Sequence, residues 1–106
     1  MGKVEILNQF EHIKVMADPR RLEIMQQLLA EPASLTQLGN RLGQHPARVR
    51  HHMQKLEKCG LVEICEVTVT NGVTEKFYRA RAGAYLIQQM VVPNDNRRKT
   101  ILFVER

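Results

Sequence analysis

Residues 34–60 read SLTQLGNRLGQHPARVRHHMQKLEKCG. Ser34-Leu35-Thr36-Gln37 has the S-x-x-Q spacing of a capping box, in which the Ser34 hydroxyl and the Gln37 amide each satisfy an exposed N–H at a helix start. Leu35, Leu38 and Leu42 follow at helical spacing as a buried stripe, and Gly43 stops the helix. Pro46 suits the first position of the next helix, where its missing N–H costs nothing, with Gln44 or His45 as the cap. That helix runs to about Lys58, before Gly60. Two short helices separated only by Gly43-Gln44-His45 have the spacing of a helix-turn-helix.

On a helical wheel the second of these helices is two-sided. Val49, His52, Met53 and Leu56 fall within about 60° of one line, while Ala47, His51, Gln54 and Lys58 point away and Arg48, Arg50 and Lys55 flank. One face packs and the other is presented.

Downstream, residues 61–70 and 73–80 are β-branched and alternating, and Asn71-Gly72 between them is the strongest two-residue hairpin signal, since both residues tolerate positive φ. A hairpin over 62–80 in this position is a wing. Upstream, Phe10, Ile13, Met16 and Ala17 recur at helical spacing and place a first helix at about 5–17. Asp18 as N-cap and Pro19 at the first position start a second helix, whose apolar stripe is Leu22, Met25, Leu28 and Leu29 and which Pro32 ends near Ala30. A last helix is expected over 82–92 through Ala84, Ile87 and Met90 or Val91. Residues 93–96 read as a loop or linker, and residues 100–104 as a strand-like run with no partner left in the chain. The fold class is therefore mainly α with a β-hairpin, a winged helix-turn-helix. The domain division is a DNA-binding unit over 1–92 and, over 93–106, a linker followed by a terminal strand or the start of an effector domain.

The composition fits one domain. A chain of 106 residues supports a single core, and 43% hydrophobic with 25% charged residues excludes both disorder and a membrane protein. With five Phe and Tyr residues and no Trp, the core has to be built mostly from Leu, Ile, Val and Met. The formal charge of +5 makes a polyanion the first partner to consider. Its placement is more telling than its size. Residues 1–40 carry a net −1, 41–58 a net +4, 59–92 balance, and 93–106 add +2. The excess sits on the presented helix.

If that helix enters a major groove, small Ala47 lets the backbone approach, and Arg50, His51 and Gln54 reach base edges. Arg48, Lys55 and Lys58 suit phosphates, which fix register and supply affinity without sequence information. His45 caps the helix or touches a phosphate. His52, beside the apolar stripe, reads as a packed or hydrogen-bonded histidine. In the wing, Thr70, Asn71 and Lys76 either reach the DNA backbone or minor groove or simply face solvent, and Arg79 is a weaker candidate.

No pair of acids, nucleophile with an ordered base, or glycine-rich phosphate loop is present, so an enzyme is not expected and no cofactor is implied. Cys59 and Cys65 are in no disulfide or C-x-x-C pattern and read as reduced structural residues. The N-terminus lacks a signal-peptide apolar run and no window approaches the length of a membrane span, which points to the cytoplasm.

The stretches Met16-Ala17-Asp18-Pro19-Arg20-Arg21-Leu22-Glu23-Ile24-Met25 and Leu42 through Val62 resemble the winged helix-turn-helix repressors of the ArsR type, over about residues 10–85. The resemblance implies a cytoplasmic prokaryotic transcription regulator, a repressor, with helix 45–58 in the major groove of double-stranded DNA and the hairpin as wing. It also implies a homodimer joined through the first and last helices. Metal sensors of that family carry Cys pairs in the helix matching 35–42, or Asp and His ligands in the last helix. Here those places hold Leu35-Thr36-Gln37-Leu38 and Ala84-Tyr85-Leu86-Ile87-Gln88-Gln89, so no metal site is carried over and no effector is assigned. Arg50 stands where the family often has Ser, which adds a charge to the reading face. The alternative function is a winged-helix module that docks on protein and does not touch DNA.

Overall fold

The computed structural model describes residues 4–7, 9–90 and 99–105. In chain order the elements are β1 (Val4–Leu7), α1 (Phe10–Met16), α2 (Pro19–Ala30), β2 (Ala33–Ser34), α3 (Leu35–Leu42), α4 (Pro46–Lys58), β3 (Val62–Thr70), β4 (Val73–Ala80), β5 (Ala84–Met90) and β6 (Lys99–Glu105).

The caps form where the sequence puts them. Asp18 Oδ1 accepts from the Arg20 amide at 2.8 Å, with Pro19 next in line to open α2. At α3 the capping box closes in both directions: Gln37 N–H donates to Ser34 Oγ at 3.2 Å and Ser34 N–H donates to Gln37 Oε1 at 3.0 Å. His45, not Gln44, caps α4, its Nδ1 accepting from the Ala47 amide at 3.0 Å.

The turn between α3 and α4 closes by backbone contact. Gln44 N–H donates to the Gly39 carbonyl at 2.9 Å. A Cβ on Gly39 would stand 2.6 Å from the Gln44 carbonyl oxygen, so only a residue without a side chain lets the turn pack this tightly on α3.

The hairpin is an antiparallel pair from Val62↔Ala80 to Thr70↔Val73, with one irregularity at Cys65, which lies between the paired Ile64 and Glu66. Asn71 (φ 53°) and Gly72 (φ 78°) make its turn, both left-handed, as a twist-matched two-residue hairpin requires. β2 adds a short third strand through Ala33↔Tyr78 and Ser34↔Phe77, which docks the wing onto the start of α3. The core is Met16, Ile24, Met25, Leu28, Leu38, Val49, Met53, Leu56, Leu61 and Val62, joined by two buried tyrosines, Tyr78 and Tyr85. Each large apolar side chain so buried contributes about 1.5–3 kcal/mol.

Three expectations are corrected. The first helix does not span 5–17: Val4–Leu7 is a strand, and α1 starts only at Phe10. The last helix over 82–92 does not form; Ala84–Met90 is strand β5. The run at 100–104 is not without a partner, because β6 pairs antiparallel with β5 from Ala84↔Glu105 to Met90↔Lys99. These corrections share one cause. β1 lies parallel to β5, Val4↔Ala84 through Leu7↔Ile87, so the two ends of the chain and residues 84–90 complete a sheet in the order β1-β5-β6. Periodicity cannot separate a short apolar run in a helix from one in a strand, and pairing between remote segments overrode local spacing. The Tyr85 hydroxyl anchors β5, donating to the Leu61 carbonyl at 2.7 Å. The linker expected at 93–96 lies outside the described residues.

Gly39→Ala is expected to cost about 1–3 kcal/mol of folding stability, because the Gln44 carbonyl or the α3 axis has to shift. A urea denaturation curve unchanged from wild type would show that the turn has slack.

Candidate nucleic-acid interface

α4 is amphipathic because its apolar side chains recur at i, i+3, i+4 and i+7. Val49, His52, Met53 and Leu56 are buried, and His45, Ala47, Arg48, Arg50, His51, Gln54, Lys55 and Lys58 are all exposed, as are Asn71 and Lys76 in the wing. The candidate residues thus share one side of the molecule's principal helix, but the fold divides them into groups. Arg50, Gln54 and Lys76 line a groove of about 570 Å³ between α4, the start of α3 and strand β4, together with Thr36 and Glu57. That volume falls within the range of small-molecule pockets, but the groove is open and its lining is polar and charged, unlike the mostly apolar walls such pockets use. His45, Ala47, Arg48 and His51 line a separate shallow depression near the helix start, with the edge of His52. Lys55, Lys58 and Asn71 line neither.

The ion pairs decide which cations remain available. Arg41 is held by Glu31 at 3.3 Å, and Glu63 holds both Arg79, at 2.8 Å, and Arg81, at 3.5 Å. Among the described residues, Arg48, Arg50, Lys55 and Lys58 form no ion pair. Of the five cations in residues 41–58, four therefore face solvent uncompensated, and Arg41 drops out. Arg79, weak as a candidate on sequence, is committed to Glu63.

Sequence reasoning missed Arg21, a half-buried guanidinium in α2. Its Nε donates to the Val15 carbonyl at 2.6 Å, and its Nη1 lies 3.2 Å from His52 Nδ1 and 3.7 Å from Asp18 Oδ2. Only the three-residue spacing from Asp18 signalled it. Burial pushes the His52 imidazole below its ordinary pKa, with the nearby Asp18 carboxylate opposing that shift and the Arg21 charge adding to it. The Arg20 amide, and then the Arg21 charge, hold the Asp18 carboxyl below the usual carboxylate range. Burial raises the Cys59 thiol, which favours the protonated, unreactive form. Among the described residues no group of three or more His, Cys, Asp or Glu side chains is arranged to hold a metal, and no helix is long and apolar enough to cross a membrane.

A helix-turn-helix whose second helix presents cations, followed by an antiparallel wing, defines the class: a winged helix-turn-helix protein. Comparison with known proteins gives a family match over part of the chain. Residues 18–63 match the profile of the bacterial regulatory proteins of the arsR family, which bears out the resemblance read from the sequence. Among solved structures the chain is similar to reduced HlyU from Vibrio cholerae N16961, at 28% identity over 68% of this chain and 70% of that one, with a TM-score of 0.58. It shares its fold with the transcriptional regulator HlyU from Vibrio vulnificus CMCP6, at 24% identity over 68% and 70% of the two chains and a TM-score of 0.55. A protein with a GntR superfamily winged-helix-turn-helix domain from Halomicrobium mukohataei is similar at 26% identity, over 66% of this chain and 54% of that one, with a TM-score of 0.56. Among curated proteins no sequence matches. The matched profile is that of bacterial regulatory proteins, and the Vibrio vulnificus neighbour is a transcriptional regulator.

The Asp18 cap makes a linked prediction. Asp18→Ala is expected to destabilise the fold by about 1 kcal/mol near neutral pH. Because the carboxyl pKa is lowered by folding, its contribution is present above the ordinary carboxylate range and is lost as pH falls through the folded-state value. The gap between wild type and variant in thermal melts should therefore narrow on acidification, and a gap that stays constant would exclude the carboxylate as its source.

Proposed function

We propose that this chain is a sequence-specific, double-stranded-DNA-binding repressor of transcription that places α4 in the major groove and the β3–β4 hairpin beside it as wing. One observation carries the reading: four cations without ion pairs, Arg48, Arg50, Lys55 and Lys58, stand on the exposed face of a helix whose opposite face is fully packed. Arg50 and Gln54 have the reach and donor geometry to read base edges, Arg50 suiting guanine and Gln54 adenine, and His51 joins them on the same outward face. Ala47 allows close approach. Arg48, Lys55, Lys58 and His45 take phosphates, and Lys76 with Asn71 meets the backbone or minor groove.

The protein acts in the cytoplasm and as a homodimer, whose two α4 helices would meet half-sites about one helical turn apart. With residues 84–90 in a strand, the helix expected over 82–92 does not supply the joint between subunits that the resemblance implied. The exposed Val4, Ile6 and Phe10 are the apolar side chains at the N-terminal end left to be covered. Pairing of β6 with β5 supports reading 99–105 as a strand of this same domain and not the start of an effector domain. The wing also leaves Val67, Val69 and Val73 more than half exposed, and this favours a second reading, a module that docks on protein.

Selection of bound duplexes from a random pool supplies the operator, and a salt titration on it discriminates the two readings. A basic-helix binder loses affinity steeply as salt rises, and a flat response would overturn the proposal. Arg50→Ala is expected to cost about 1–3 kcal/mol and relax preference at one position. Lys58→Ala should weaken all sequences alike and lower the salt slope by about one.

A further inference from the structure

Among the described residues only two polar side chains are buried, Ser34 and His52. The capping box accounts for Ser34. His52 sits on the DNA-facing helix itself, 8% exposed, flanking the packed stripe of Val49, Met53 and Leu56. Its Nδ1 faces Arg21 Nη1 at 3.2 Å. A guanidinium has only donors, so this contact is a hydrogen bond solely when Nδ1 carries no proton. Arg21 is itself fixed at three points, by the carbonyl of Val15 in α1, by the Asp18 carboxylate at the start of α2, and by His52 in α4. The charged groups facing the ring are Asp18, Arg20 and Arg21 from α2 and, from α4, His51, whose ring centroid lies 5.5 Å away.

We propose that the Arg21–His52 hydrogen bond is a proton-operated latch, with Arg21 as the positioning residue that sets the rotation of α4. The proposal rests on α4 being the DNA-reading helix. With His52 neutral, the guanidinium ties the middle of α4 to the α1–α2 junction. Protonation of Nδ1 turns the acceptor into a donor and sets an imidazolium against a guanidinium, leaving Arg21 with Asp18 and the Val15 carbonyl. His52⁺ is then driven towards water, which rolls α4 about its axis. Arg48 and Lys55, four residues before and three after His52, lie on the same side of the helix and move with it. The edge of the His52 ring already borders the depression lined by His45, Ala47, Arg48 and His51, so the latch and the phosphate-facing side chains share one surface. Burial favours the neutral ring, so the latch is closed at neutral pH and opens on acidification.

Protonation elsewhere on the protein also strengthens its attraction to phosphate in acid, which opposes the latch in a raw titration. A His52→Gln variant separates the two effects, since its amide oxygen accepts from Arg21 at every pH. Duplex affinity is measured by anisotropy at about pH 7.5 and about pH 5.5 for wild type, H52Q and R21M, each checked for folding by its thermal melt. Relative to H52Q, wild type should lose about fivefold or more in affinity on acidification, the size of a typical coupling between two sites. R21M should bind more weakly at both values and lose the acid-specific component. Equal pH dependence in wild type and H52Q would overturn the latch. NMR of the free protein gives a readout that needs no DNA: the His52 ring should titrate at lower pH in wild type than in R21M, with the amide shifts of residues 48–55 following the same midpoint. If that coupled shift is seen but no duplex binds at either pH, the DNA reading fails and the latch stands. Duplex binding without the coupled shift overturns the latch alone.

Discussion

The Gln44 carbonyl comes closer to Gly39 than any Cβ would allow, and this approach fixes how α4 leaves α3. The orientation of the cationic face depends on it. Once the turn is closed, Val49, Met53 and Leu56 meet the core, His52 turns in to Arg21, and the other polar residues between them face solvent. The wing is registered to the same frame by Ser34, which pairs with Phe77 in β4 while its hydroxyl caps α3. Two backbone devices, one on each side of α3, therefore set the groove in which Arg50 and Gln54 stand opposite Lys76.

The distribution of charge is as selective as the geometry. Arginine is abundant in the second half of the domain, yet Arg41, Arg79 and Arg81 are each matched to a glutamate, with Glu63 serving two of them. Surface pairs of this kind contribute little to stability, about 0–1 kcal/mol. Their larger effect is to neutralise three arginines outside α4, whose own four cations stay unmatched among the described residues. Glu57 and Glu75 in the groove put two carboxylates among the cations there.

The elements that sequence revealed are those specified locally. Asp18-Pro19, Ser34 with Gln37, His45-Pro46 and Asn71-Gly72 each satisfy or bend the backbone within a few residues, and each forms where the side-chain chemistry puts it. The exposed face of α4 was legible for the same reason, since a wheel needs no tertiary knowledge. The misread segments are those decided at long range. Residues 84–90 carry a spacing that serves a helix or a strand, and what settles them is pairing with residues 4–7 and 99–105. One misreading produced another, because a helix at 84–90 left the run at 100–104 without a neighbour. Arg21 was missed likewise: nothing local tells that a guanidinium in α2 reaches a histidine 31 residues later.

The parallel pairing of Val4–Leu7 with Ala84–Ile87 joins segments eighty residues apart, and this orders events as the chain is made. The helix-turn-helix and wing draw mainly on contacts within residues 10–80, with α1 and α2 packing also on β5 and β6, and most of that frame can assemble once that length has emerged. β1 has to wait for a strand synthesised much later, and closing so long a loop is slow compared with forming a helix or hairpin. During that interval Val4 and Ile6 lie on an unpaired strand edge, the kind of surface that recruits other strands. The half of the molecule that carries the cationic helix is thus built first, and the pairing of β1 with β5 is the step most exposed to misassembly.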